Sequence, residues 1–412
     1  MFLRVTIPLR CLGVFAILLV STSASASTRT AASCQLSAVQ AMVDAAVSGD
    51  VVVVPAGTCT WSSNVEIPAG KHITLKGAGA GVTTIRRTGR AVNIVLSNSR
   101  LTGFTFVCAF VLVDGDAFRI DHNEFTCSEF LVGVRSFTER KTTSAKGLID
   151  HNEFHNMSIR IDGFADSFNR LLGTTHWSDP LALGTDDAVY IEDNTHTFTV
   201  HGNAVDCQTS GRYVFRHNVV TDTTMEAHSS QGGRACRKWE IYNNTLKGVN
   251  RSMPSFFLRG GTGVVFDNVF LGSWNSKNGR VDNVRSFESR GNLGKCDGSS
   301  PFDGNAANQR GFPCRDQIGR GQDSSPINNN TAWPTQTIDP AYFWNNTWNG
   351  ELGGVFVANN GSELHIKADR DFFVNKGPKP GYTPFRYPHP LSQQDATSSG
   401  PATPHNLRIT TL

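Results

Sequence analysis

The sequence predicts an all-β chain folded as a single-domain parallel β-helix solenoid with a capping helix at its N-terminal end. Three observations lead there. Residues 214–270 hold three short apolar-aromatic runs that each meet an Asn, FRHNVV, IYNNTL and FDNVF, and their Asn218, Asn244 and Asn268 are 26 and 24 residues apart. A fixed period in this range marks stacked units, and units this short and rich in Val, Phe, Tyr and Thr suit one β coil each. The signature also recurs: aligned on the turn Asn, the chain gives Asn123, Asn152, Asn194, Asn218, Asn244, Asn268 and Asn292, with steps of 29, 42, 24, 26, 24 and 24 residues. Finally, residues 37–48 (SAVQAMVDAAVS) form an amphipathic helix with Val39, Met42, Val43 and Val47 on one face, capped by Ser37, and the strand VVVV follows. A helix placed there plugs the open end of the core.

Taken in order, the chain begins with a targeting segment. Arg4 and Arg10 flank its start, CLGVFAILLV is an apolar core, and Ala24-Ser25-Ala26 is a cleavage site, so residues 1–26 read as a signal peptide. The apolar run is short for a membrane span, and no other run is long enough, so the exported chain is expected to be free of the membrane. From residue 73, short β runs alternate with Gly, Asn and Asp turns. The two long Asn steps are filled by polar insertions, residues 138–146 and 164–183, and insertions in a solenoid emerge on one face. An Asn at each turn is a structural residue: it tolerates the left-handed region, and stacked amides can bond along a ladder. His122, His151 and His217 precede turn Asn residues and read as turn residues too. After Asn292, residues 294–340 form a Gly, Asn, Pro and Ser-rich excursion. FWNNTWNG then restores the coil signature, residues 368–391 read as an irregular C-terminal cap, and residues 392–405 have linker composition, so residues 392–412 are expected as a flexible tail. The β-helix domain is thus expected over residues 34–391.

The 412 residues carry a net charge of +3 with no long run of one sign, which points away from nucleic acid. Removing Cys11 with the signal leaves eight Cys, an even number that reads as disulfides in an exported chain. No CxxC pair occurs, which argues against a structural zinc. Cys108 and Cys127 occupy like positions 19 residues apart in successive coils, and Cys34 and Cys59 flank the first helix and strand. Cys207–Cys236 and Cys296–Cys314 follow by elimination.

On the capping helix, VVVVPAGTCTW and the Asn-turn coils, residues 34–390 resemble the right-handed parallel β-helix superfamily typified by pectate lyase. A narrower similarity is to polysaccharide lyase family 6, the alginate lyases and chondroitinase B. Glu226-Ala-His228, Tyr242-Asn-Asn-Thr245, Leu258-Arg259-Gly260 and Asp267-Asn268 follow the order of that family's base-bearing strand, Asn turn, Arg-Gly strand and Asn turn. The resemblance implies that Arg259 is the catalytic acid. The family's Lys base has no counterpart; the nearest residue is His228.

Counting back nine residues from each Asn finds the same strand in each coil. Asn268 leads to Arg259, Asn292 to Asn283 beside Arg285, and Asn194 to Thr185 beside Asp186. From Asn244 the count falls in SSQGGRAC, which looks inserted, so the strand belongs at residues 225–228. Asp186, Glu226, His228, Arg259 and Arg285 are therefore expected in one column, one coil spacing of about 4.8 Å apart. Glu226 and His228 share a face because the side-chain period is 2. Such a column suits β-elimination from an acidic polysaccharide. The carboxylate of a uronate must be neutralised while its C5 proton is taken; Arg259 or Arg285 can do that, and His228 can act as base. Asp186 and Glu226 are the expected ligands if Ca²⁺ performs the neutralisation. Trp177, Arg234 and Arg237 complete the expected substrate contacts, Trp177 by stacking on a sugar.

The sequence thus leads to a secreted or periplasmic polysaccharide lyase of a bacterial envelope, monomeric, with an acidic polysaccharide as partner. Two alternatives stand beside it. A glycoside hydrolase on the same fold needs paired carboxylates, and the only tandem near the column is Asp186-Asp187, which would point to opposite faces. A non-catalytic glycan-binding or adhesin solenoid requires the Trp177 loop to pack down rather than rim a groove.

Overall fold

The computed structural model describes residues 26–68, 70–87, 92–93, 98–138, 145–164, 177, 179–228, 234–249, 254–274, 276, 278–283, 314–323 and 336–393. Residues 1–25, which hold nearly all of the expected signal peptide, most of the excursion after residue 283 and the tail after residue 393 lie outside them. The chain winds as a parallel β-helix. One strand of every coil enters a 12-stranded sheet that starts at Thr28–Thr30 and Val51–Val54 and ends at Ala341–Trp344 and Phe372–Val374. Most of the remaining strands make two further parallel faces, joined where the long strands Glu124–Thr138 and Glu153–Phe164 bend from one to the other; Arg320–Asp323 with Gln336–Ile338, and Thr347–Trp348 with Glu351–Leu352, pair antiparallel. Inward positions stack residue on residue. Leu101, Ile120, Ile149 and Ile191 line the first face, while the rings of Phe106, Phe125, Phe154 and His196 stack at 5.2, 4.9 and 4.8 Å on the second. These intervals match the inter-strand spacing, so each coil adds one layer of core.

The Asn ladder is present. In Asn123, Asn152, Asn194, Asn218 and Asn244 the side-chain amide donates to the Oδ1 of the next Asn and to two backbone carbonyls, and each rung's backbone N–H reaches the same Oδ1. All are buried. Two points differ from the expectation. The left-handed residue is not the Asn but the one before it: His122, His151, Asp193, His217, Asn243, Asp267 and Asn345 have φ between 53° and 58°. That leaves the Asn to bond along the axis. And the rung after Asn268 is Asn346, not Asn292. Asn292 lies outside the described residues, and the excursion separates the two rungs.

The N-terminal helix spans Leu36–Ala45 and buries Val39 and Val43. Gln35, not Ser37, is its N-cap, and Val47 falls past its end and is exposed. Three disulfides join Cys34–Cys59, Cys108–Cys127 and Cys207–Cys236. Cys314 is also disulfide-bonded; Cys296 lies outside the described residues. The C-terminal segment does not simply cap the end. After Phe372–Val374 it runs back over the outer surface of the first sheet, where Tyr382, Phe385 and Leu391 cover Tyr190, Val214, Tyr242, Val264, Phe266 and Trp344. Buried charges anchor it. Arg216, paired with Glu192 at 2.6 Å, donates to the carbonyls of Phe385 and Arg386, and Arg119 donates to Ser392. Among the described residues no helix is long and apolar enough to cross a membrane.

Every long insertion leaves the coil at one corner, between a third-face strand and the next first-sheet strand. Residues 139–146, 165–188, 228–237 and 282–340 all do so. That corner frames the third face, where the charged residues gather.

Candidate functional site

Register on the third face sets out two outward columns, two residues apart along each strand. Arg135, Arg160, Asp206, Glu226, Phe257, Arg280 and Phe356 succeed one another in the first. Asp162 and Gln208 pair in the second. It continues through His228, Arg259 and Asp282, whose backbone N–H groups bond to Cys207, Ala227 and Leu258 in the same register. Glu226, His228 and Arg259 therefore share one face of neighbouring coils, but not the single column expected: Glu226 lies in the first and His228 and Arg259 in the second, and the strand Thr224–Ala227 lies one residue before the expected 225–228.

These residues form one hydrogen-bonded cluster. His228 Nδ1 is 2.5 Å from Asp206 Oδ1. Arg259 Nη2 lies 2.6 Å from Glu226 Oε2, 3.1 Å from His228 Nδ1 and 2.9 Å from His228 Nε2. Gln208 donates to Asp206 Oδ2 at 2.8 Å and is itself held by Arg160 at 2.9 Å. With Asp206 ionised, the short contact puts the imidazole proton on Nδ1 and leaves the Nε2 lone pair facing Arg259. Burial works to raise Asp206, but the hydrogen bonds from His228 and Gln208 and the charge of Arg259 outweigh it and hold the carboxyl below its usual range. Glu226 goes the other way. Its burial, reinforced by Asp206, outweighs Arg259 and pushes its carboxyl up. The two adjacent carboxyls are thus driven apart by their surroundings.

Asp206 and Gln208 are not among the expected site residues, although counting back nine from Asn218 gives Thr209, one residue past Gln208. Asp186 was found by the same count and is misplaced. It is exposed in the turn before the first-sheet strand Val189–Glu192, because an insertion separates Asn194 from its third-face strand, and the column position in that coil belongs to Asp162. Arg285 lies outside the described residues.

The residues expected to rim a groove are buried instead. Trp177 is fully enclosed, with Arg234 and Arg237 at 4.7 and 4.8 Å from its ring. Arg234 forms two 2.9 Å bonds to Asp316, which also accepts from the N–H of Ala235. Arg237 is enclosed too, and burial next to Arg212 brings its guanidinium down to about 9. Lys238 is buried against Glu240. All four are enclosed beside the corner from which the insertions leave. His122 and His151 stay with their turns, each with Nδ1 against the preceding Asp.

Calcium does not fit the residues expected to hold it. Asp186 is not beside Glu226; the donor atoms that gather there, within 4.8 Å of one another, are those of Asp206, Glu226 and His228. That set has one nitrogen and too few oxygens for a hard cation, and the Arg259 guanidinium already contacts two of its members.

No protein-family model matches the chain, and no curated protein matches it in sequence. Among solved structures, a mutant of a family PL6 alginate lyase aligns over 88% of this chain and 52% of its own, at 14% identity and a TM-score of 0.32. The Agl-KA catalytic domain aligns over 82% of this chain and 65% of its own, at 16% identity and a TM-score of 0.29. The chain thus spans about half of the first and less than two thirds of the second. Likenesses this slight say nothing of the chemistry, which rests on the cluster itself.

Proposed function

We propose that the protein is a secreted lyase that cleaves a uronate-containing polysaccharide by β-elimination on its third face. The observation that carries this reading is the His228 imidazole held between Asp206 and Arg259. A base must be oriented, a developing negative charge must be met by a fixed cation, and both conditions are satisfied within one cluster. His228 Nε2 takes the C5 proton of the sugar once Arg259 turns to the substrate carboxylate. The C5–H electron pair becomes the C4–C5 double bond and the C4–oxygen bond breaks. A proton must then reach the leaving oxygen. Resemblance assigns that step to Arg259, but a guanidinium gives up its proton with difficulty. The raised carboxyl of Glu226, which loses its counter-ion when Arg259 moves, is the better donor. The disulfides suit an oxidising compartment.

A second reading has an observation of its own. Asp206 and Glu226 present carboxylate oxygens within 4.8 Å of each other, with shifts of opposite sign, and a close carboxylate pair serves glycoside hydrolysis. The non-catalytic reading draws support from Trp177, which packs down as it requires. One assay separates all three. The protein is incubated with alginate, pectate, glucuronan and chondroitin, and both ultraviolet absorbance and reducing ends are followed. Absorbance from unsaturated uronate ends means elimination. Reducing ends without absorbance mean hydrolysis. Neither, across the panel, would sink both enzyme readings.

A further inference from the structure

Phe257 lies opposite Arg280 in register, and Arg259 follows two residues along the strand. The guanidiniums of Arg259 and Arg280 both lie over the Phe257 ring, each 4.5 Å from its centroid. Each meets the protein through a single nitrogen. Arg259 uses Nη2 for Glu226 and His228; Arg280 uses Nη2 for Asp282. The Nε of both is buried and unpartnered, and among the described residues no acceptor meets Nη1 of either. A guanidinium offers five N–H donors in a fixed fork, so most of both forks is unspent. Asp282 is spoken for elsewhere as well: Ser362 donates to it at 2.9 Å and Asn360 at 3.1 Å.

We infer that Arg259 and Arg280, set around Phe257, form a clamp for one carboxylate of the glycan, and that Arg280 is the residue that selects a uronate over a neutral sugar. The inference rests on the lyase reading of the same cluster. Arg259 touches the base, so a carboxylate it shares with Arg280 belongs to the sugar whose proton His228 removes. In the free protein Glu226 balances Arg259 and Asp282 balances Arg280, and the sugar carboxylate takes the place of Glu226 when Arg259 turns to it, so the clamp gathers no excess charge. Selection then comes from the planar two-oxygen match of carboxylate to fork, not from the field of a basic patch. Phe356, next to Arg280 in the column and 37% exposed, continues it with a face for a sugar ring.

Binding without turnover tests the clamp. The full chain carrying His228→Ala is measured by affinity electrophoresis in gels containing alginate, pectate, glucuronan or chondroitin. Carboxyl-reduced pectate and dextran sulfate serve as controls. The expected result is retardation by at least one uronan and by neither control. Adding Arg280→Gln should weaken that retardation by about tenfold or more, with circular dichroism unchanged. Adding Arg280→Lys, which keeps the charge and loses the fork, should weaken it as well. Full binding by the Arg280→Gln or Arg280→Lys form, equal binding of dextran sulfate, or no binding of any uronan overturns the clamp. The two readings fail separately. Turnover by the natural chain that is unchanged in Arg280→Gln refutes the clamp alone; uronan binding that depends on Arg280, with no cleavage by the natural chain, refutes the lyase alone.

Discussion

Asn243 and Asn244 are chemically identical neighbours in opposite environments, and replacing each with Ala gives a sharp test of how the solenoid is held. The Asn244 amide donates to the carbonyls of Phe215 and Tyr242 at 2.9 and 3.0 Å and to Asn268 Oδ1 at 2.8 Å; its Oδ1 accepts from Asn218 N and Nδ2 at 2.9 and 3.1 Å. With two amide protons shared among three acceptors, that is about four hydrogen bonds at roughly 1 kcal/mol each. Removing them also strands the buried backbone N–H of Asn218 and interrupts the ladder. Asn244→Ala is therefore expected to cost about 3–5 kcal/mol, an exceptional amount for one substitution. Asn243 is exposed, takes no part in the ladder and sits at φ 56°. Asn243→Ala should cost about 1–2 kcal/mol for the left-handed backbone alone, and Asn243→Gly little or nothing. Urea unfolding followed by circular dichroism, with equal slopes required for the comparison, measures all three. A cost for Asn244→Ala no larger than that for Asn243→Ala would refute the ladder as a source of stability.

Other predictions follow from the buried charges and the site. Arg234→Met takes from the buried Asp316 the cation that bonds both its oxygens and should cost about 3–5 kcal/mol by urea unfolding. Arg237→Met at neutral pH should be near neutral or stabilising: its guanidinium is lowered to about 9 by burial, so the charged form carries a penalty that the fold escapes only as pH rises through 9. Asp206 is held below its usual range. Its contribution is complete above the unfolded value of about 3.9 and is lost as pH falls from there toward the lower folded value, so Asp206→Asn should flatten the acid limb of a stability–pH curve. In activity, His228→Ala and Arg259→Ala should each abolish turnover with the fold intact, and Asp206→Asn should lower kcat by about 10²–10⁴-fold by misorienting the imidazole. Wild-type rates in any of the three remove that residue from the mechanism.

Much of the fold was legible because one period repeats. Each Asn marks a coil, and Val, Ile and Phe fall inward at fixed offsets from it. What the period could not assign was the division of labour at the turn, where the left-handed strain sits on His122 or Asn243 and frees the following Asn for the ladder. The same counting located Arg259 and, once SSQGGRAC was set aside, His228, since both lie close to an uninterrupted strand. It failed where an insertion stands between the Asn and its third-face strand: Asp186 belongs to the insertion, and Asp162 holds the place it was given. Trp177, Arg234 and Arg237 looked like a surface set because Trp and Arg suit glycans. Their burial depends on Asp316, which is 82 residues from Arg234 in sequence and has no period to reveal it. The strap of residues 377–393 across the first sheet is likewise a long-range contact, signalled only by outward-facing Tyr190, Tyr242 and Phe266 on strands that look buried on both faces.

The most direct test of the central claim is the absorbance of unsaturated uronate ends when the protein meets alginate, pectate, glucuronan and chondroitin. The account predicts rising absorbance on at least one of them, abolished in His228→Ala. Reducing ends without absorbance, or absorbance that persists in His228→Ala, would contradict it.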